Sequence, residues 1–87
     1  MPDLSTALLT DHARAQCRAR NLAEPDLRAV LDAPQQVLAV RPGRVVAQSL
    51  LESGFLLRVF VDVDRNPPEI VTAYRTSKIN KYWSQWL

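Results

Sequence analysis

Eighty-seven residues with 47% hydrophobic content suffice for one domain around a single modest core and exclude two. A single cysteine, Cys17, and a single histidine, His12, exclude an intramolecular disulfide, a cysteine-based metal set, zinc motifs and any paired-histidine mechanism, so neither metal nor cofactor is expected. The formal net charge of +2 is unevenly spread: residues 1–34 hold four bases and five acids, residues 35–87 seven bases and four acids, which puts the basic potential in the second half.

Residues 1–9 carry Leu4, Ala7, Leu8 and Leu9 without a clear period, and fit either a helical turn or an extended lead-in. At Thr10 the signals sharpen. A hydroxyl suited to an N-cap, Asp11 at the positive end of the helix dipole and the small residues Ala13, Ala15, Cys17 and Ala19 predict a helix from about Asp11 to Arg20. Cys17 reads as a small buried apolar group on it. Asn21 tolerates a left-handed backbone and ends the helix, with Leu22 folding back onto it. Glu24-Pro25-Asp26 opens a second helix, in which Leu27, Val30 and Leu31 have i, i+3, i+4 spacing, and Pro34 stops it.

Four strand-like runs follow. Gln36–Arg41 turns at Pro42-Gly43 into Arg44–Leu50; Leu51-Glu52-Ser53-Gly54 turns into Phe55–Val63; and Asp64-Arg65-Asn66-Pro67-Pro68 turns into Glu69–Arg75. Such short connections predict an antiparallel meander. One face of the long strand, with Phe55, Leu57, Val59, Val61 and Val63, is expected beneath the helices. The other, with Leu56, Arg58, Phe60 and Asp62, is half polar and is expected to be open to solvent or ligand. Thr76 or Ser77 is suited to cap a short final helix, Lys78–Trp83, in which Ile79 and Trp83 share a face, and Trp86-Leu87 gives an apolar end. The predicted fold class is α+β, a single domain over residues 1–87: two N-terminal helices packed on a four-stranded antiparallel sheet, with a short C-terminal helix. No run approaches the roughly 18 apolar residues of a membrane span and Met-Pro-Asp does not open a signal peptide, so no membrane is involved and the cytoplasm is the expected compartment.

The string Tyr74-Arg75-Thr76-Ser77-Lys78-Ile79-Asn80-Lys81-Tyr82-Trp83 follows a strand and is preceded by His12-Ala13 opening a helix. With the Arg41-Pro42-Gly43-Arg44 hairpin and Leu56-Leu57-Arg58-Val59, it resembles a family of short bacterial proteins known only as domain of unknown function 4258, over about Thr10–Trp83. That family is similar to the RelE/ParE-like toxins of toxin–antitoxin pairs, BrnT-type toxins among them. The resemblance implies a compact α+β domain whose sheet presents basic residues, often cutting RNA without a metal and silenced by an antitoxin. It assigns no catalytic positions. Family sequences favour a Ser or Thr cap where this chain has Ala23, which should weaken the second helix start.

Metal-free RNA cleavage needs a base for the 2′-hydroxyl, cations for the crowded phosphate and an acid for the leaving 5′-oxygen. His12, near a helix N-terminus where its cationic form is disfavoured, fits base or acid, or is a helix-start residue bonded to backbone. Arg75 and Lys78 fit a phosphate, unless Arg75 pairs with Asp62 and Lys78 is solvated. Arg58 either pairs with Asp62 or lines the site. Thr76 and Ser77 read as a cap or substrate contacts before nucleophiles. Tyr74 and Tyr82 can donate a proton or stack on a base, or be buried with their hydroxyls satisfied, and Lys81 adds charge beside them. Trp83 and Trp86 read as core or docking surface, and Arg41 and Arg44 as a solvated hairpin tip. Two function classes follow: a toxin-like ribonuclease with RNA as substrate and a neighbouring antitoxin as partner, or a non-catalytic module that binds nucleic acid or inhibits a protein.

Overall fold

The computed structural model describes residues 3–85. A 3-10 turn, Leu4–Thr6, leads into β1 (Leu8–Leu9), α1 (Asp11–Ala19), α2 (Glu24–Asp32), β2 (Gln36–Arg41), β3 (Arg44–Leu50), β4 (Leu56–Asp62), β5 (Glu69–Thr76) and α3 (Ile79–Tyr82). The class is α+β, but the sheet has five strands in the order β1-β5-β4-β3-β2, and β1 runs parallel to β5. The four-stranded antiparallel expectation is thus corrected at one edge. Two residues are too few to show strand alternation, and what fixes β1 lies some sixty positions away: the Pro68 carbonyl accepts from Leu8 N–H, and Leu9 sits opposite Ile70.

The helices form where the local signals put them. Thr10 Oγ1 accepts from Ala13 N–H and donates to the Ile70 carbonyl, so one hydroxyl both caps α1 and moors it to β5. At the other end Asn21 is left-handed at φ 55°, the Cys17 carbonyl accepts from Leu22 N–H and the Arg18 carbonyl from Asn21 N–H, the paired bonds of a Schellman ending. Ala23 precedes α2 without a side-chain cap, as its composition requires, and Arg28 of α2 donates to the Ala7 carbonyl.

Ala13 and Cys17 of α1, with Leu27, Val30 and Leu31 of α2, pack on Leu57, Val59, Val61, Ile70 and Ala73. Phe55 and Val63, expected on that buried face, lie at its ends; Phe55 is exposed and Val63 half-buried. The second face departs further from expectation. Leu56, Arg58 and Asp62 are buried, and residues 82–84 cross over the glutamines of β2 and β3 beside Arg58. Nor do Arg58 and Asp62 pair: four strand residues span about 13 Å, beyond side-chain reach. Asp62 sits directly opposite Arg44 and accepts from its Nε at 2.6 Å and its Nη2 at 3.2 Å, so Arg44 is not a solvated tip residue. In the β2–β3 turn Gly43 has φ 82°, a left-handed backbone that favours glycine, and a Cβ there would only displace the exposed Asp64 carboxylate, 2.6 Å away.

The hydrogen bond from Arg44 holds the Asp62 carboxyl below its ordinary value of 3.8. A carboxylate with a lowered folded pKa stabilises fully above its unfolded value and loses that contribution as pH falls through the folded one. Asp62→Asn is therefore expected to cost about 1–3 kcal/mol at neutral pH, the range for a charge-assisted bond. It should also flatten the fall in melting temperature below about pH 4, which pH-resolved thermal melts will show.

Among the described residues no helix is long and apolar enough to cross a membrane, and no group of three or more His, Cys, Asp or Glu could hold a metal ion.

Candidate functional site

Register builds the site. Gln36 lies opposite Gln48, Gln48 opposite Arg58 and Arg58 opposite Tyr74, so four adjacent strands contribute one straight row of polar side chains to the second face. Arg58 is only 9% exposed, yet among the described residues no carboxylate pairs with it. Its Nε donates to Gln48 Oε1 at 2.9 Å and its Nη1 to the Tyr74 hydroxyl at 2.6 Å. Around the guanidinium stand the rings of Tyr82 at 4.2 Å, Phe60 at 5.3 Å and Tyr74 at 5.7 Å from centroid to the central carbon. A buried cation would ordinarily require a counter-ion; here amide and hydroxyl oxygens and three π faces take that part.

The aromatic rings are packed against one another. Phe60 stacks on Tyr74 at 5.9 Å and 21°, and Tyr74 meets Tyr82 edge-on at 6.2 Å and 74°. Lys81 adds a second, exposed cation, its Nζ 5.3 Å from the Tyr82 ring centre. The Tyr82 phenol is held below its ordinary value of 10.0, first by side-chain hydrogen bonding with Tyr74, against the opposing effect of burial, with lesser contributions from Lys81 and the charge of Arg58. Phenolate is stabilised wherever cations and donors converge without an acid to neutralise them. Chemically, the cluster offers an oxygen able to exchange a proton, an exposed ammonium able to meet an anion, and aromatic faces.

Of the residues singled out in the sequence, Arg58, Tyr74, Lys81 and Tyr82 come together. Arg75 does not pair with Asp62: it lies opposite Leu57, one position out of phase with Tyr74, and its guanidinium sits over the Phe55 ring at 5.4 Å. Thr76 and Ser77 do not cap the last helix. That helix is shorter than expected, Ile79–Tyr82, with Lys78 before it and no side-chain cap; Thr76 Oγ1 instead accepts from Lys78 N–H at 3.0 Å, and Ser77 and Lys78 are exposed. Trp83 lies just past the helix, its N–H donating to the Ile79 carbonyl, and Trp86-Leu87 falls outside the described residues.

His12 is exposed on α1, its Nε2 3.1 Å from Gln16 Nε2. Gln16 Oε1 accepts from Thr72 Oγ1 at 2.6 Å, and Arg20 donates both to that hydroxyl and to the Ala73 carbonyl. Thr72 shares the second face with Tyr74, so this chain of polar groups, beginning at His12, reaches the sheet opposite Phe60 of the aromatic cluster. It also covers the part of β5 that short β1 leaves unpaired, a usual way of closing a sheet edge.

The glutamines, Phe60, Thr72 and Arg20 were not legible as site residues. The only signal for the glutamines is their position in register with Arg58, and register requires the turn geometry to be known.

The family model described as "Domain of unknown function (DUF4258)" matches residues 9–75. The matched span holds Arg58 and Tyr74 but stops short of Lys81 and Tyr82, and is shorter than the Thr10–Trp83 resemblance. No curated protein and no solved structure matches the chain.

Proposed function

The chain belongs to the DUF4258 family, and on that premise we propose that it is a toxin-like protein of a type II toxin–antitoxin pair, acting in the cytoplasm by metal-independent cleavage of RNA. The observation that carries this reading is the placement of Tyr82 over the acid-free cation Arg58 at 4.2 Å, beside the exposed Lys81, an arrangement in which the phenol's pKa is lowered. In the proposed reaction the Tyr82 oxygen takes the proton of the RNA 2′-hydroxyl. The 2′-oxygen bonds to phosphorus, Lys81 and the charge of Arg58 stabilise the crowded phosphate, the P–O5′ bond breaks, and Lys81 protonates the departing 5′-oxygen. The products are a 2′,3′-cyclic phosphate and a 5′-hydroxyl. Phe60 and Tyr74 offer stacking faces for an unpaired base.

A second reading, non-catalytic binding of nucleic acid or inhibition of a protein target, has one observation in its favour. Arg58 is saturated by Gln48, Tyr74 and Tyr82, as a purely structural cation would be. Two experiments separate the readings. Expression alone should arrest bacterial growth and co-expression with a neighbouring antitoxin gene restore it, with RNA fragments ending in 2′,3′-cyclic phosphate appearing only in the first case. Growth arrest with intact RNA selects the binding reading, and harmless expression counts against both toxin forms.

Lys81 is the exposed cation of the cluster, and Lys81→Ala is expected to weaken RNA binding by about 1 kcal/mol. It should also lower the salt dependence of binding by roughly one phosphate contact, as read from anisotropy of a labelled RNA at several salt concentrations. An unchanged salt slope would remove Lys81 from the phosphate contact.

A further inference from the structure

Gln36 and Gln48 are the two buried polar side chains of the row that no proposed chemistry uses, and their bonds have a direction. Arginine has donors only, so Gln48 must turn its oxygen to Arg58 Nε, which leaves Gln48 Nε2 facing the other way. That nitrogen donates to Gln36 Oε1 at 2.8 Å and to the Tyr82 carbonyl at 3.0 Å. Gln36 Oε1 then also accepts from Ser84 N–H at 3.0 Å, and Gln36 Nε2 donates to the Ser84 carbonyl at 2.6 Å. The Gln36 amide thus meets both backbone groups of Ser84, as a neighbouring strand would. Among the described residues no buried side-chain nitrogen or oxygen is left without a partner.

We propose that Gln36 and Gln48 are positioning residues, which clamp residues 82–84 across the sheet and so hold Lys81 and the Tyr82 hydroxyl over Arg58. The proposal rests on the reading of Tyr82 and Lys81 as the working groups, but the clamp is itself a physical object. Its two amides bond to the Tyr82 and Ser84 backbone and touch neither working side chain, so they set where the segment lies without taking part in proton transfer. The same amide that holds the segment orients Arg58, which couples the position of Tyr82 to that of the cation beneath it.

The test uses Gln36→Leu, which removes the clamp on Ser84 and leaves the Gln48–Arg58 bond in place. Gln36→Glu is the companion that keeps both accepted bonds but replaces the donated one by a carboxylate oxygen facing the Ser84 carbonyl. Tyr74 and Tyr82 are the only tyrosines, so ultraviolet titration of phenolate, with Tyr82→Phe in each background as reference, follows Tyr82 directly. In Gln36→Leu the Tyr82 phenol is expected to titrate upward toward its ordinary value. Tryptic cleavage after Lys81 should quicken about tenfold, the effect of losing roughly one hydrogen bond's worth of local stability. RNA cleavage should lose turnover with little change in KM, and Gln36→Glu should move all three readouts in the same direction. Parental titration and proteolysis in a folded Gln36→Leu protein overturn the proposal. If Gln36→Leu fails to fold, parental behaviour of Gln36→Glu overturns it as well, and loss of folding in both makes the pair a fold element and not a positioning one. Titration and proteolysis need no RNA, so an inactive parent would sink the ribonuclease reading and leave the clamp to be judged separately.

Discussion

Tyr82→Phe is expected to lower RNA cleavage by roughly 10²–10⁴, the range for a lost acid–base group, while RNA affinity and melting temperature stay near parental. The substitution removes one oxygen. The ring that covers Arg58 at 4.2 Å and meets Tyr74 edge-on remains, and the segment is held through the Tyr82 carbonyl, which the substitution does not touch. The pH profile supplies an independent check. A base must be deprotonated, and the phenol pKa lies below its ordinary 10.0, so parental cleavage should rise with pH toward that lowered value. The rising limb should be missing in Tyr82→Phe. His12→Gln belongs in the same assay, because His12 is the alternative base or acid and sits on α1 bonded to Gln16. If His12→Gln loses activity and Tyr82→Phe does not, the assignment moves to the polar chain along α1.

For stability the largest effect is expected at Ile70, where Ile70→Ala should cost about 2–5 kcal/mol. The side chain is fully buried at the point where three elements meet: Leu9 of β1 lies opposite it, Val61 of β4 flanks it on the other side, and its carbonyl accepts the Thr10 hydroxyl that caps α1. Truncation would leave a cavity under the start of α1, and rigid strands on both sides limit how far it can collapse. Val40→Ala, at a 45% exposed position on edge strand β2, should stay within roughly 0.5 kcal/mol and serves as the control. Denaturant unfolding of both variants tests the contrast, and equal losses would mean that the β1–β5–α1 junction is not the tightly packed point of the fold.

What the sequence determined by itself is what depends on neighbours a few positions apart. Thr10 caps because its hydroxyl reaches Ala13 N–H within the same turn, Asn21 ends α1 because its own backbone tolerates φ 55°, and Gln36–Arg41 and Arg44–Leu50 stand where alternation and Pro42-Gly43 put them. The charged and aromatic character of the last segment was equally plain, and three of its candidate residues, Tyr74, Lys81 and Tyr82, do meet, together with Arg58 of β4. Tertiary structure alone decided which four. Side-chain alternation assigns a residue to a face, but register decides its neighbour on that face, and register is set by turns and packing across the whole sheet. So Asp62 takes Arg44, directly opposite, and not Arg58 along its own strand; Arg58 takes Gln48 and Tyr74; and Arg75, one residue from Tyr74, goes to Phe55. β1 and residues 82–84 were beyond local reading for the same reason. Each is too short to carry a pattern, and each is held by hydrogen-bond partners 34 to 60 positions away in the chain.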